Sequence, residues 1–556
     1  MANAPDTGTL PAGDDLANPD RPDMPLSGVT DDAIPEVVSG EVRDFLRTHE
    51  QRRRQLPRAL VVGVVSGVTA VAFSRTLVAG DGLRTRLILA AHEWGVWGAL
   101  VPVVVGAIGA AVAVTLVRAV APEASGSGIP HLKAVVHHLR TMRSGRVLGV
   151  KFLGGIAGIG GGLALGREGP TIQMGGAIGQ MVSGWFACSP RERQTLITAG
   201  AGAGLAAAFN APLSGLVFVL EEVQRDFSQT VFAATLIAAV AADVVTRLLM
   251  GQLPVFHVAI HPIPPLPALP ISLVLGLAAG VLGVAFNWSL VGALDLFGRV
   301  AHWPAWVTGA AAGAAVGCVG WFVPEALGGG HLLVERTLAG QVALPALAGF
   351  FVLRFGLTMV SYGSGAPGGI FAPLLVLGSE LGLAFGLLSQ WVFPAAVDHP
   401  ETFAVVGMAA YFTAIVRAPL TGIVLIVEMT GDYSLVLPLL VACLTAYGVA
   451  DYLGDRPVYE ALLERDLLRG HESPTLPRTL LLELTVAPGA PFEGKRVRDL
   501  GLPPGCVLVT IQRNLSEEVP TAASTIEAGD RLTAVVGPEA VGAVELLRTG
   551  TSPRRA

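Results

Sequence analysis

Charged side chains are scarce in this chain. Asp, Glu, Lys and Arg make up 14% of its 556 residues, where an ordinary soluble domain carries roughly 25%. The mean hydropathy is +0.60, and together these values exclude a cytosolic enzyme. Cysteine is nearly absent: Cys188, Cys318, Cys443 and Cys506 stand far apart, with neither the spacing of a zinc site nor the clustering of a disulfide framework. The formal charge of −6 is small and dispersed and marks no nucleic-acid partner. No HExxH, nucleophile elbow or cysteine-nucleophile context occurs, and Gly489–Arg496 has the outline of a phosphate loop but lacks Ser or Thr after Lys495 and contains Pro491. The expectation is a non-enzyme with no metal and no cofactor. A cleavable signal is also missing, since residues 1–38, rich in Asp, Pro, Gly and Ala, lack its basic-then-apolar order. They read as a disordered tail.

What the chain has in quantity is apolar sequence. Ala59–Phe73, Ala99–Val117, Val231–Ala242, Ile271–Phe286, Leu347–Val360 and Leu435–Ala450 are almost free of charge, and several approach the ~20 residues that cross a bilayer. The protein is read as a polytopic, all-α membrane protein. Its 69 glycines and 38 prolines fall inside the apolar segments as well as between them. Broken helices follow, and in lipid these survive only where they are buried in protein or line a polar cavity. That favours transport over anchoring. Arg43, Arg47, Arg52–Arg54 and Arg58 precede the first apolar segment, and Lys133, Arg140, Arg143 and Arg146 with His137 and His138 follow the second long one. By the positive-inside rule both clusters are cytoplasmic, as are both termini if the net number of crossings is even.

Membrane character over residues 39–470 gives way to a soluble stretch, 471–550, before a short tail, 551–556. Leu480–Val486, Val507–Arg513 and Arg531–Val536 read as strands and Pro538–Arg548 as a closing helix, giving a small cytoplasmic α/β domain. Within the membrane region, Gly200–Val217 and Gly407–Val424 share an Ala-Pro-Leu-(Ser/Thr)-Gly core at an offset of 207 residues. Gly126–Pro130 echoes Gly363–Pro367. Two related halves meeting at a central site is the plan of many secondary transporters; the sequence pattern leaves parallel and inverted arrangements open.

The candidate site residues lie at breaks in this apolar text. In Gly166-Arg167-Glu168-Gly169-Pro170, the proline suits a first helical turn, and the glycines bare backbone N–H groups where the helix dipole supplies about half a positive charge. Glu168 stands where an anion would bind: its carboxylate occupies the place when ionised and leaves it when protonated. The alternative is a capping glutamate paired with Arg167. An ionisable group at membrane depth costs roughly 2.5–3.5 kcal/mol on insertion scales, which favours the functional reading. Gly126-Ser127-Gly128-Ile129-Pro130 adds a hydroxyl and a second helix start. Gly368–Pro373 frees the N–H groups of Ile370 and Phe371 after Gly369. Glu221 aligns with Glu428 of the repeat and reads as structural, whereas Glu222 aligns with Met429 and is private to its half. Glu222 is either functional or a solvated helix end. Tyr459, one of only six tyrosines, is either an inward hydroxyl or a packed side chain.

These motifs, GSGIP at 126–130, GREGP at 166–170, GGIFAP at 368–373 and Tyr459, resemble in order those of the CLC chloride channels and chloride/proton exchangers. The likeness covers roughly Arg43 to Leu468. It implies a homodimer with a pathway in each subunit, inverted halves, and a chloride site of the Ser127 and Tyr459 hydroxyls with the Ile370 and Phe371 amides. It further implies an external gating role for Glu168 and an internal proton-transfer role for Glu222. A glutamate at 222 is the exchanger pattern, so chloride and protons are the expected cargo. A passive voltage- or ligand-gated chloride channel is the alternative, and a non-transporting membrane ligand sensor is a third reading. Ser127 disfavours nitrate, and the intact motifs disfavour fluoride. Alanine, arginine and glycine usage suggests a bacterial source, hence the inner cell membrane. In place of CBS domains the C-terminal segment resembles the RCK-C or TrkA-C type, through Pro488-Gly489, Phe492, Gly494-Lys495, Ile511-Gln512-Arg513, Val519-Pro520 and Ala528-Gly529-Asp530. That resemblance implies dimerisation and a small ligand such as cyclic di-adenosine monophosphate (c-di-AMP); a ligand-free dimerisation module is the alternative.

Overall fold

The computed structural model describes residues 36–552 except 226, 253–255, 257–265, 470–479, 514–515, 538 and 541. The tail assigned to 1–38 therefore lies outside the described residues up to 35, and from Glu36 the chain is helical. The first half of the membrane part comprises α1 (Glu36–His92), α2 (Leu100–Val120), α3 (Ile129–Val136), α4 (Ser144–Gly160), α5 (Glu168–Trp185), α6 (Pro190–Phe209), α7 (Pro212–Phe218) and α8 (Gln229–Met250). The second half repeats the series as α9 (Leu269–Arg299), α10 (Ala305–Phe322), α11 (His331–Leu338), α12 (Leu344–Gly363), α13 (Phe371–Val392), α14 (Thr402–Val416), α15 (Pro419–Thr430) and α16 (Val436–Tyr452), and α17 (Val458–Arg469) follows. Among the described residues, seven helices are long and apolar enough to cross a membrane. Others, such as the eight-residue α3 and α11, span about 12 Å at 1.5 Å per residue, well short of a hydrocarbon core of roughly 30 Å. These are the broken helices expected from the glycines and prolines.

Sequence sets the breaks. Proline opens α6, α7 and α15 within the first two positions. The start of α6 is fixed by a capping box: Ser189 Oγ accepts from Glu192 N–H, and Glu192 Oε2 accepts from Ser189 N–H at 2.8 Å. Facing small residues let α5 and α6 approach at Gly175 and Gly200, and α13 and α14 at Gly378 and Gly407.

The relation between the halves is written in two carboxylates. Glu428, at the end of α15, accepts from the N–H groups of Leu213 (3.0 Å) and Ser214 (2.7 Å) at the start of α7. Glu221, after the end of α7, accepts from the N–H groups of Leu420 (3.1 Å) and Thr421 (2.7 Å) at the start of α15. Each helix caps the other's positive end, which requires them to run antiparallel. The halves are therefore inverted, and Glu221 is structural as its repeat position indicated.

One expected repeat is displaced. A Pro-Glu-Ala turn precedes α3 (Pro122–Ala124) and another precedes α11 (Pro324–Ala326), so the counterpart of the Gly126–Gly128 loop is Gly328–Gly330. The echo at Gly363–Pro367 ends α12 instead. It resembles Gly126–Pro130 because both segments break a helix with glycine, and the two lie side by side, with Gly368 N–H donating to Gly126 O at 2.9 Å.

The C-terminal module has a four-stranded antiparallel sheet, order β1-β4-β2-β3, built from β1 (Leu480–Thr485), β2 (Cys506–Arg513), β3 (Ser516–Glu518) and β4 (Arg531–Val536). Leu508, Ile511, Leu532, Ala534 and Val536 form its core with Leu547 of α18 (Gly542–Thr551). β3 was missing from the sequence reading because its Ser-Glu-Glu is polar throughout, and the closing helix begins later than the expected Pro538.

Candidate anion and proton site

Three helix starts converge at the middle of the membrane part because the loops before them are sewn together. Gly166 and Gly369 exchange N–H···O bonds, each 2.7 Å, and Gly126 O accepts from Gly368 N–H and, at 2.6 Å, from Lys151 Nζ. Gly128 is left-handed at the entry to α3 and Pro130 sits in its first turn. Pro170 does the same for α5. At the crossing point, a Cβ on Gly169 would stand 2.9 Å from the Cα atoms of Ser127 and Gly369, so only glycine lets these backbones meet. The first-turn amides of α3, α5 and α13 have no intrahelical acceptor and carry the positive end of each dipole.

Ser127 is fully buried. Its N–H donates to Tyr362 Oη and its Oγ accepts from Ile129 N–H, both at 3.4 Å, and its side chain also hydrogen-bonds Tyr362. Ile370 and Phe371 are fully buried at the start of α13. The Phe371 ring lies against Tyr459, with centroids 6.3 Å apart and planes at 22°, and against Phe412 at 4.8 Å. Tyr459 is fully buried in the first turn of α17, and its hydroxyl has no hydrogen-bond partner among the described residues. Leaving a polar group unmade in such a place costs about 1–3 kcal/mol, so this orphan hydroxyl fits an anion acceptor.

Glu168 opens α5 and is 3% exposed, and its Oε2 likewise has no partner among the described residues. The carboxylate folds back over Gly166, where a Cβ would stand 2.1 Å from Oε2. The carboxylate accepts from the Ala372 N–H and feels the charge of Arg167 at longer range, while Arg167 Nη2 donates to the carbonyl of Ala208 at 3.2 Å. Glu168 and Arg167 line a cavity shared with His331 and Phe256.

Glu222 lies in a π-helical turn, Val219–Gln224, that continues α7. It is 1% exposed, with Lys133 Nζ at 2.6 Å from Oε1 and Arg225 Nη2 at 3.6 Å from Oε2. It is not a solvated helix end. Lys133, counted with a cytoplasmic basic cluster from the sequence, is instead a buried partner, because α3 turns that face inward against Glu222.

Two residues of this centre, Lys151 and Tyr362, and the pairing of Lys133 escaped the sequence reading. Lys151 is the lone charge in the apolar stretch Val147–Ile159, and that isolation was its signal. Tyr362 precedes the Gly363–Pro367 segment by one position. The partner of Lys133 is 89 residues away, and no local pattern discloses it.

Fold and site together define a polytopic membrane protein of two inverted halves whose helix N-termini face one another at a buried centre. The voltage gated chloride channel family matches residues 108–451, and the TrkA-C domain matches residues 481–547. An H(+)/Cl(-) exchange transporter ClcA of Salmonella paratyphi A is 40% identical over 450 residues, covering 78% of this chain and 94% of the relative. One of Citrobacter koseri is 39% identical over 446 residues with the same coverage. A solved slow cyanobacterial Cl-/H+ antiporter is similar at 37% identity and a TM-score of 0.73, over 75% of this chain and 99% of that one. The chain belongs to the voltage gated chloride channel family and carries a TrkA-C domain.

Proposed function

We propose that the protein is a secondary active chloride/proton antiporter of the cell membrane. The observation that carries this reading is the pair of buried carboxylates: Glu168, held by backbone N–H groups at the meeting of three helix starts with one oxygen unpartnered among the described residues, and Glu222, buried in the turn that continues α7. A channel needs the first set of groups but has no use for a second buried carboxylate. Chloride binds between the Ser127 and Tyr459 hydroxyls and the Ile370 and Phe371 amides. Glu168 competes with it when ionised and carries a proton when neutral, and Glu222 supplies that proton from the cytoplasm. The names of the ClcA relatives support the same cargo.

The test uses purified protein in liposomes, with chloride efflux and external pH recorded together. Glu168→Gln and Glu222→Gln are each expected to lose proton movement while chloride still moves. Chloride flux with no proton movement in the unmutated protein would establish the passive channel instead. The same reading has both termini cytoplasmic, a homodimer with one pathway per subunit, domains at 39–470 and 471–550, and a TrkA-C module that binds a nucleotide such as c-di-AMP. Titration of the full-length protein with that nucleotide checks the last point, and an absence of binding heat leaves the module a dimerisation element.

A further inference from the structure

Two helices adjoin the hydroxyls of the proposed chloride site, and both also carry charges that the site does not use. α3 follows Ser127 and holds Lys133; α17 holds Tyr459 and, next to it, Glu460. Between them, Glu222 and Arg225 complete a chain of ion pairs: Lys133 to Glu222 at 2.6 Å, Glu222 to Arg225 at 3.6 Å, and Arg225 Nη1 to Glu460 Oε1. The chain runs from the interior outward, since the Lys133 and Glu222 side chains are 4% and 1% exposed and those of Arg225 and Glu460 are 44% and 36% exposed. α3 also packs directly on α17 and on the Glu222 turn. One carboxylate thus neutralises two cations and joins the elements that bear Ser127 and Tyr459.

We propose that Lys133, Arg225 and Glu460 are positioning residues of an inner gate whose state is set by Glu222; the inference rests on the antiporter reading above. With Glu222 ionised, the ion-pair chain draws α3 and α17 together and holds the Ser127 and Tyr459 hydroxyls across the inner mouth. When a proton from the cytoplasm neutralises Glu222, the two cations that faced one anion face each other, and the buried ammonium of Lys133 loses its partner, a strongly unfavourable arrangement. The tie slackens and the mouth opens inward. Chloride then leaves toward the side from which the proton came, which is the sense of exchange that antiport requires. The titratable and charged groups around Glu222 are Lys133 and His137 of α3, Arg225 of its own turn, and Tyr459 and Glu460 of α17; Glu221 points away, to α15.

The experiment measures chloride efflux and proton movement from liposomes containing the full-length protein, at equal pH on both sides, from mildly acidic to neutral. The unmutated protein gains chloride flux on acidification. Glu460→Gln keeps the side-chain size and cuts the outer link of the chain. Its neutral-pH chloride flux is expected to rise about fivefold toward the acid value, the factor a partly exposed ion pair supplies, with a flattened pH profile and fewer protons moved per chloride. Arg225→Gln behaves alike, and Lys133→Arg retains the unmutated profile where Lys133→Gln loses it. If Glu460→Gln and Arg225→Gln, eluting as folded protein, keep the original profile and coupling ratio, the inference is overturned; because both lie at the exposed end, they decide it even if Lys133→Gln does not fold. An unmutated protein that moves chloride and no protons overturns the antiporter reading instead, and the pH profile of Glu460→Gln still decides the tie.

Discussion

At Glu168 a carboxylate rests on a glycine because nothing else would leave room. Substituting Gly166→Ala puts a methyl group 2.1 Å from the present position of Oε2 and expels the carboxylate from the helix starts. The expected phenotype is that of a protonated Glu168: chloride flux persists and proton coupling falls, read from parallel chloride and pH traces. Tyr459→Phe removes a buried hydroxyl that lacks a protein partner. Thermal stability should hold or rise slightly, while chloride binding by titration calorimetry weakens by about 0.5–1.5 kcal/mol, the worth of one hydrogen bond. A loss of stability without loss of chloride affinity would make this tyrosine a packing residue. Ser127, Glu168, Ile370, Phe371 and Tyr459 were legible in the sequence because each sits in or beside a short motif whose glycines and prolines announce a helix start. Lys151 and Tyr362 were not, since their role is to hold a loop that belongs to another motif.

Between elements, the reciprocal caps of α7 and α15 tie the two halves through charge-assisted bonds to backbone N–H groups. Glu221→Gln and Glu428→Gln each leave the geometry and remove the charge, and each should lower stability by roughly 1–3 kcal/mol, seen as a lower unfolding temperature in detergent. Because the caps are symmetric, the two losses should be similar; a large effect at one site only would contradict the paired role. Each half also uses one buried cation to hold the loop before its short third helix. Lys151 Nζ reaches Gly126 O at 2.6 Å, and Arg354 Nη1 reaches Gly328 O at 2.9 Å. The repeat was visible at Ala-Pro-Leu-(Ser/Thr)-Gly because that text starts a helix in both halves. It was misjudged at Gly363–Pro367, where glycine-rich helix breaks look alike whatever their place. Inversion was implied by the family resemblance and not by the repeat pattern itself; the carboxylates of one half on the amides of the other show it.

Across the whole molecule, composition and periodicity separated a membrane part from a small α/β module, and the boundary follows from physics: apolar helices satisfy lipid, and alternating strands need water on one face. In the module, Asp530 is buried against Arg513, with guanidinium-to-carboxylate contacts of 2.8 Å. Burial alone would push its carboxyl up, but the Arg513 hydrogen bonds, the Glu527 N–H and the Arg513 charge together outweigh this and hold it below the usual carboxylate range. The folded value is depressed, so the stabilisation is complete above the ordinary value near 3.8 and is lost as pH falls through the folded one. Hydrogen exchange of the β2 and β4 amides in the full-length protein should therefore be unchanged from neutral pH to about pH 5 and lose protection below about pH 4, with Asp530→Asn less protected at neutral pH. In the membrane part Glu168 and Glu222 are buried carboxylates, and the proposed antiport turns on both. The most direct measurement is whether the purified protein in sealed liposomes, given a chloride gradient and no pH gradient, pumps protons against the pH difference it creates. The account predicts uphill proton movement that stops when the chloride gradient is removed; chloride flux that never builds a pH difference would contradict it.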